Sequence, residues 1–422
     1  MDGSRLMLPL RPLSFRNYRL FFFGQLISLM GTWMQSVAQQ WLVYRLTGSA
    51  ALLGVVGFLG QIPMLLLTPL GGVLADRYPK RNIVVATQFL FMLLAFAFAL
   101  LTLTNNIRVW HILSLAFLFG IVNAADVPAR QSLMPELVPR DVLVNTIALN
   151  SAMFNLARIV GPAVAGVLVA VIGEGWCFFA NAVSYLAVIV GLLMMDLPNA
   201  TNGGSQISPI EHLLEGFRFV TRTSPIREIL MLLGLVSVMG MSYTVLMPIF
   251  ADKILHAGPK GLGILMAASG IGAFTGALIL AMKRGVSGLG KRVAFGAIGF
   301  GVCLIIFSHS RNFGLSALLL AFAGFCMVTQ MASSNTLVQT LSPDELRGRV
   351  MSVYAMMFMG MAPFGSLLAG SLAHWFGATV AVSMGGVACI VGGLLFARKI
   401  NQLHTSAKQL SQSIDATEND KP

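Results

Sequence analysis

The chain has 422 residues, of which 56% are hydrophobic and only 10% are Asp, Glu, Lys or Arg. A soluble domain of this length would carry about 25% charged residues, so the composition excludes an ordinary soluble enzyme or binding domain. The net charge of +12 is not a nucleic-acid footprint, because that would need a basic face on a soluble domain. Many apolar blocks reach about 20 residues, the length of a membrane-crossing helix, whereas barrel strands are shorter and alternate in polarity.

The apolar blocks predict an all-α integral membrane protein with twelve transmembrane helices, which are called spans below. A polar stretch separates the first six spans from the last six, and a polar tail follows the last span. We therefore predict a first six-helix bundle (1–197), a cytoplasmic linker (198–226), a second six-helix bundle (227–398) and a mobile cytoplasmic tail (399–422). In chain order the spans run at about 17–46, 50–75, 82–104, 109–133, 145–172, 175–196, 227–250, 261–282, 292–309, 313–338, 349–373 and 376–398.

The basic residues predict the orientation, because cytoplasmic loops of membrane proteins carry an excess of Lys and Arg. If the N-terminus is cytoplasmic, only five of the 28 basic residues fall in loops on the opposite side, and Arg158 falls within a span. The reverse orientation would invert this ratio. We therefore expect a multi-pass protein of the cell inner membrane with both termini in the cytoplasm, and we attribute the positive net charge to this topology.

The two halves of the chain resemble each other at a constant offset of 204 residues. The same offset aligns two distant places, which favours an internal duplication over chance similarity between apolar helices. Because each half has an even number of spans, the two copies start on the same side and form a parallel repeat, as in many secondary transporters. Matched pairs include Pro139 with Pro343, Phe154 with Phe358, Gly161 with Gly365 and Gly72 with Gly276.

The segment GGVLADRYPKR concentrates charge in the short loop between spans 2 and 3. It resembles the signature G-x-L-A-D-R-x-G-R-K of the major facilitator superfamily, with a proline at the place of the second glycine. The resemblance implies that the aspartate contacts the start of span 11 and basic groups near span 4, and so latches the cytoplasmic gate. For the basic residues, the positive-inside rule is an alternative explanation. The residues of this gate motif are Gly72, Asp76, Arg77, Lys80 and Arg81.

Span 5 carries a second motif, ARIVGPAVAG, which resembles the pattern G-x-x-x-G-P-x-x-G-G of exporters in this superfamily. Gly161, Pro162 and Gly166 match the pattern, and alanines replace two of its other glycines. Small residues four apart leave one helix edge free for close packing, and we expect a matching edge on span 8 at Gly272 and Gly276. The motif indicates export, although helix packing alone would explain the same residues.

Two charged residues lie well within the predicted spans, Asp126 in span 4 and Arg158 in span 5. Each alone would cost about 2.5–3.5 kcal/mol at the centre of a membrane helix, so pairing is expected. Arg130 lies one turn beyond Asp126 on the same helical face. We predict that Asp126 is a proton-responsive carboxylate held against Arg158 or Arg130, whose protonation biases the transport equilibrium. A static salt bridge that orients the helices is the alternative.

Polar side chains in three spans define a predicted substrate cavity. In span 1 their spacings of 3, 4, 3 and 4 place them on one helical face. The superfamily resemblance implies two parallel six-helix bundles related by a pseudo-twofold axis, with spans 1, 4, 7 and 10 around a central cavity. Hydrogen bonding between helices is the alternative role. The predicted cavity residues are Gln25, Ser28, Thr32, Gln35 and Gln39 in span 1, Ser237, Met241 and Thr244 in span 7, and Thr329, Gln330 and Ser333 in span 10.

Together these features predict a transporter rather than an enzyme, because the sequence has no Walker loop, metal-ligand cluster or nucleophile arrangement. We expect a monomeric, proton-coupled secondary transporter that works by alternating access in the lipid bilayer. It should need a small-molecule substrate but no cofactor, metal or nucleic acid.

The direction of transport follows from a finer resemblance. The passage DVPARQSLMPELVPRDVLVNTIALNSAMFNLARIVGP resembles the branch of enterobactin exporters and macrolide-efflux proteins. That resemblance implies antiport of a bulky, partly apolar compound such as a siderophore or drug out of the cell. Two alternatives remain open at this point, namely uptake or flipping of a lysophospholipid-like molecule, and a non-transporting membrane sensor or scaffold.

Overall fold

A computed structural model of the chain describes residues 8–196, 209–282 and 288–419, and in these ranges it contains helices but no strand. Helices suit a bilayer because they satisfy their own backbone hydrogen bonds. The predicted all-α fold is confirmed, with helices α1–α12 at the twelve predicted spans and a linker helix, Pro209–Arg222, before α7. The bounds are Arg16–Thr47 (α1), Ala50–Arg77 (α2), Lys80–Leu103 (α3), Val109–Leu133 (α4), Leu143–Ile172 (α5), Glu174–Leu193 (α6), Ser224–Ile254 (α7), Gly258–Met282 (α8), Leu289–His309 (α9), Phe313–Thr340 (α10), Asp344–Phe376 (α11) and Ala378–Asn419 (α12).

Eleven of the described helices, α2 to α12, are long and apolar enough to cross a membrane. With 32 residues α1 is also long enough, but its polar side chains make it less apolar than the others. Polar residues are accepted in a membrane helix when other helices or water cover them. The chain is therefore a multi-pass membrane protein in which α1 is the weakest span by composition.

Glycines make the tightest turns between consecutive helices, since they adopt positive φ values without strain. Gly48 has a φ of 59° and ends α1. Gly173 between α5 and α6 has a φ of 90°, and Gly377 between α11 and α12 has a φ of 84°. Gly173 and Gly377 are 204 residues apart, so the offset of the sequence repeat recurs in the backbone geometry.

Two helices of the second half contain π-helical turns that the sequence did not predict. These turns are Val236–Gly240 and Phe250–Ile254 in α7, and Met356–Gly360 in α11. The hydroxyl of Ser237 donates a hydrogen bond to the carbonyl of Phe358, so a π turn of α7 contacts that of α11. Turns of this kind are rare and occur frequently at functional sites, where they disturb an otherwise regular helix.

The chain divides into two compact units. The first unit contains Met1–Gln206 together with Pro248–Ala267, and the second contains Ile207–Met247 and Ala268–Pro422. In the first unit α1 packs on α5 and α6, α2 packs on α4, and α3 packs on α4 and α6. In the second unit α12 packs on α7 and α9, α9 packs on α10, and the linker helix packs on α11. The end of α7 and the start of α8, which belong to the second predicted bundle, are grouped with the first unit.

The linker and tail differ in detail from their predicted ranges. The linker helix lies within the predicted linker 198–226, of which residues 198–208 are outside the described ranges. α12 continues as a helix to Asn419, well beyond residue 399, where the tail was predicted to begin. The apolar pattern ends near that residue, but Gln, Lys, Ala and Leu continue to favour helix in the polar segment that follows.

Candidate functional site

Asp126 lies in the interior of the first unit, with only 1% of the residue exposed. Its Oδ2 is 3.1 Å from Nε of Arg130, and its Oδ1 accepts hydrogen bonds from Thr87 Oγ1 at 2.7 Å and Gln88 Nε2 at 2.9 Å. Arg130, one of the two predicted partners, therefore pairs with the carboxylate, and Arg158 is half-buried on α5. One cation and two neutral donors together offset the cost of burying the charge.

The contacts of Asp126 join two helices. Arg130 lies on the same helix, α4, with 24% of its side chain exposed, whereas Thr87 and Gln88 lie on α3. Thr87 and Gln88 were not among the predicted site residues. Their signal in the sequence is two adjacent polar residues in an apolar span, which is weak because single hydroxyl and amide groups are common in membrane helices.

A second polar network joins α1 to α6. Asn181 Nδ2 donates to Gln35 Oε1 at 2.7 Å, and Ser184 Oγ lies 3.1 Å from Asn181 Oδ1. Tyr185 OH lies 3.3 Å from Thr32 Oγ1 and 3.4 Å from Asn181 Nδ2. Sequence reasoning missed the α6 members, although their spacing on one helical face of an apolar span was a usable signal.

The predicted cavity residues of α1 separate into buried and accessible groups. Gln25, Ser28 and Gln35 are at most 5% exposed, whereas Thr32 is exposed and Gln39 is half-buried. The helix approaches α6 closely on the same side, because a Cβ at position 31 would lie 2.6 Å from Ser184 Oγ. For Gln35 the geometry therefore favours the alternative role, hydrogen bonding between helices. Gln25 and Ser28 are buried by packing, and Gln25 Oε1 has no hydrogen-bond partner among the described residues.

The predicted cavity residues of the second unit show the same division. Ser237, Gln330 and Ser333 are at most 1% exposed. Gln330 Nε2 donates to Ser334 Oγ one turn further along α10, at the long distance of 3.5 Å. The accessible members are the half-buried side chains of Met241, Thr244 and Thr329. In the first unit the predicted cavity residues that are not buried are Thr32 and Gln39.

The gate motif makes contacts through its basic residues. Lys80 forms an ion pair with Glu136 just after α4, and Arg81 Nη1 donates to the Met195 carbonyl after α6 at 3.0 Å. Asp76 and Arg77 are exposed, and the Asp76 carboxylate has no ion pair with any residue in the described ranges. Gly72 has open space around it. At the end of span 4 the gate motif therefore forms an ion pair in which Lys80 is the base and Glu136 is the acid. The expected contact was between Asp76 and a basic group.

The exporter motif packs against two different helices. A Cβ on Gly161 would lie 2.6 Å from Trp33 Cβ of α1, and a Cβ on Gly166 would lie 3.0 Å from Gly263 Cα of α8. Pro162 lies between these contacts and is buried. The expected match on α8 at Gly272 and Gly276 was wrong, because both of these glycines pack on α10. Helix spacing alone could not distinguish the glycines on different faces of α8.

Residues at the end of α1 make contacts that the sequence did not predict. Arg45 Nε lies 2.7 Å from Oε1 of Glu174, whose side chain is 8% exposed. The neighbouring Tyr44 OH donates to Oδ2 of Asp252 at 2.9 Å. Asp252 belongs to the part of α7 that is included in the first unit. These contacts join distant parts of the sequence, so no local pattern indicates them.

A duplicated six-helix pattern with many membrane helices is typical of secondary transporters. The comparison with protein families agrees with this class. A family described as transmembrane secretion effectors matches residues 7–419. The chain belongs to this family, within the major facilitator superfamily.

Characterised relatives include exporters and transporters of small molecules. The staphyloferrin A transporter of Staphylococcus aureus is 27% identical over 90% of this chain and 95% of its own length. The multidrug efflux pump Tap of Mycolicibacterium fortuitum is 27% identical over 84% of this chain and 88% of its own length. The enterobactin exporter EntS of Citrobacter koseri is 24% identical over 92% of both chains.

Solved structures support the same fold at low sequence identity. A bacterial homologue of the lysosomal transporter Spinster, crystallised in an inward-facing conformation, has a TM-score of 0.69 at 14% identity and covers 94% of this chain and 98% of its own. The nucleoside transporter NupG has a TM-score of 0.70 at 13% identity, with coverages of 94% and 99%. At these identities the likeness shows the major facilitator fold and carries no information about substrate.

Proposed function

We propose that this chain is a proton-coupled exporter of a bulky, partly apolar small molecule, and that it works by alternating access as a monomer with both termini in the cytoplasm. The observation that carries the proposal is the buried carboxylate of Asp126. It has one cation, Arg130, and two neutral donors as partners. A proton that binds there removes a charge from the interior of the first unit, which changes the relative stability of two transport states.

The direction of transport is supported by the exporter motif and by the relatives. α5 packs tightly on α1 and α8 at Gly161, Pro162 and Gly166. The neighbouring helices therefore approach the backbone of α5 closely at this place. Two of the relatives are named as an efflux pump and an exporter, and their substrates are siderophores or drugs by name. Export of a compound of this class is the activity that we assign to the chain.

The gate motif has a proposed role in a different state of the cycle. Asp76 is exposed in this structure, so its carboxylate is available to a partner that approaches during transport. As the superfamily resemblance implies, we propose that this partner is the start of α11. Lys80 and Arg81 hold the loop in place through their contacts after α4 and α6.

Metabolite profiling followed by vesicle transport tests this function. The spent medium of cells with and without the gene is compared, and the compound that differs is then supplied to everted membrane vesicles. The wild-type chain should accumulate the compound when a pH gradient is imposed and should stop when nigericin collapses that gradient. Asp126→Asn should lose gradient-driven accumulation but retain exchange of labelled for unlabelled compound, because exchange requires no net proton movement.

The exchange assay also separates coupling from a purely structural salt bridge. If Asp126 only orients the helices, Asp126→Asn should reduce accumulation and exchange in parallel, or reduce neither. Gradient-driven accumulation by Asp126→Asn at the wild-type rate would contradict the proposed coupling. Asp76→Asn is the matched control for the gate, and it should slow both assays because it affects the conformational change rather than the proton.

A further inference from the structure

One face of α5 is polar along its first half and closely packed along its second half. The first half of this face exposes Ser151 and leaves Asn155 and Arg158 half-buried, whereas Pro162 and Gly166 in the second half are buried. Polar and charged side chains in a membrane face protein or water rather than lipid. The first half of this face is therefore accessible to a polar solute. The face consists of Ser151, Asn155, Arg158, Pro162 and Gly166, with spacings of 4, 3, 4 and 4 residues.

The opposite side of α5 has the character of a lipid contact. Leu156, Val167 and Val171 are exposed there, at 46%, 48% and 75%. Helical geometry places these residues roughly opposite the polar face. Between Ser151 and Val171 the exposed residues on this side are therefore apolar, whereas the polar face carries groups that hydrogen-bond.

An aromatic pair borders the polar face. The rings of Trp33 on α1 and Phe154 on α5 are 5.8 Å apart between centroids and meet edge to face at 74°. Phe154 is 45% exposed and Trp33 is half-buried. Arg158 follows Phe154 by one helical turn, which places a positive charge beside the rings. Two accessible rings at a steep angle form a corner in which a third, planar ring can stack on one wall and meet the edge of the other.

The internal repeat provides a control for this aromatic corner. The backbone of Gly161 is in close contact with α1 at Trp33, and the backbone of its counterpart Gly365 is in close contact with α7 at Val238. The counterpart of Trp33 is Ser237, which donates a hydrogen bond to Phe358, the counterpart of Phe154. The packing of these helix pairs therefore does not require a tryptophan. In the first unit the ring of Trp33 packs on Phe154 and is only half-buried, so part of its surface is available to a ligand as well as to the helix contact.

We infer that Trp33 and Phe154 form a subsite for a planar aromatic ring that bears an acidic oxygen. The rings supply the stacking surfaces, Arg158 supplies a positive charge for the oxygen, and Asn155 and Ser151 supply hydrogen bonds. Aromatic stacking of this kind selects flat, unsaturated ligands over saturated ligands of similar size. The inference rests on the proposed function in that the ring belongs to the compound that is exported.

A pair of ligands that differ only in aromaticity tests the subsite. Equilibrium dialysis with the full-length chain in detergent measures the binding of 2-naphthoate and of its saturated analogue, decahydro-2-naphthoate. The wild-type chain should prefer the aromatic acid. Trp33→Leu and Phe154→Leu should each weaken the binding of 2-naphthoate by about threefold to tenfold and remove the preference. Trp33→Phe should retain most of it.

The control variant is Trp375→Leu, because Trp375 is 78% exposed at the far end of α11 and is outside the subsite. Thermal unfolding of each variant checks that the fold is retained, and Trp33→Phe remains informative if Trp33→Leu does not fold. The subsite is wrong if the wild-type chain binds neither acid or binds both equally, or if the Trp33 and Phe154 variants keep the wild-type preference. Aromatic-selective binding combined with unimpaired coupling in Asp126→Asn would keep the subsite and refute the proposed proton site.

Discussion

The two units place different chemistry at equivalent positions of the same repeat. Asp126 and Arg130 form an ion pair one helical turn apart in α4. At an offset of 204 their counterparts in α10 are Gln330 and Ser334, which form a neutral hydrogen bond with the same spacing. The duplication has kept the position and the side-chain contact but not the charge. Ionic chemistry in the membrane region is therefore assigned to the first unit.

At equivalent positions of the repeat, the helix backbone is irregular in the second unit and regular in the first. α7 and α11 of the second unit contain π-helical turns that touch through Ser237 and Phe358. In the first unit the equivalent segments of α1 and α5 are regular α-helix, and an aromatic pair occupies the contact. Regular helices position charged groups rigidly, whereas π turns interrupt the hydrogen-bond ladder at a place where a helix can bend. We expect the second unit to contribute more of the bending during transport.

The largest expected effect comes from removing the cation of the first unit. Arg130→Met leaves the Asp126 carboxylate buried without its partner, and breaking a buried ion pair in this way costs about 3–5 kcal/mol. Gln330→Leu removes only a long neutral hydrogen bond of the second unit, for which we expect about 1 kcal/mol. Unfolding in detergent, followed by circular dichroism, measures both. Equal losses in the two variants would contradict the assignment of ionic chemistry to the first unit.

A smaller difference is expected at the repeat-related glycines Gly72 and Gly276. A Cβ on Gly276 would lie 2.9 Å from the Phe325 carbonyl oxygen, and overpacking against backbone costs about 1–3 kcal/mol. Gly72 has no heavy atom within 4 Å of the same point, so Gly72→Ala should be neutral or slightly stabilising. The comparison of melting temperatures for the two alanine variants tests this. Gly71→Ala is a control that should also destabilise, because its Cβ would overlap the Ala124 carbonyl.

The contact of Tyr44 with Asp252 exists in the first unit alone, since the repeat places proline opposite Tyr44 at position 248. Tyr44→Phe removes this hydrogen bond and should lower the free energy of unfolding by about 0.5–1.5 kcal/mol. Tyr78→Phe, at a tyrosine that is 58% exposed, is the matched control and should have no effect. If the two phenylalanine variants unfold at the same temperature, the Tyr44 contact does not stabilise the first unit.

The smallest effects are expected at partly exposed ion pairs, and one such pair from each unit is suited to a comparison. Lys80 pairs with Glu136 in the first unit, and Arg349 of α11 pairs with Glu215 of the linker helix in the second. Exposed pairs contribute about 0–1 kcal/mol and are screened by salt. Lys80→Gln and Arg349→Gln should therefore change the melting temperature only slightly, and less still in 1 M salt. A large, salt-independent loss in either variant would show that its pair acts as a buried contact.

The sequence predicted the features that follow from composition and periodicity. Charged residues are rare in membrane helices, so Asp126 and Arg130 were recognisable before their contact was seen. The repeat was equally visible, and Gly173 and Gly377 now show the same backbone geometry at the same offset. The sequence left the choice between Arg130 and Arg158 open, because spacing fixes a helical face but not the rotation of one helix against another.

Features that depend on packing between distant residues were not predictable. Thr87 and Gln88 become important only because α3 turns them toward Asp126. The π turns have no local signal apart from the glycines that end two of them, Gly240 and Gly360. The division of α7 and α8 between the units reflects tertiary contacts. The buried state of Gln25, Ser28 and Gln35 was also not evident, since a polar stripe looks the same whether it faces water or a neighbouring helix.

Proton movement in liposomes tests the central claim about Asp126 most directly. The purified chain is reconstituted with the pH-sensitive dye pyranine inside, and a gradient of the exported compound is applied without any initial pH difference. With the compound in excess outside, the wild-type chain should alkalinise the interior as the compound enters and protons leave, whereas Asp126→Asn should move the compound down its gradient with no pH change. Equal pH changes in the two proteins would show that the coupling proton binds elsewhere.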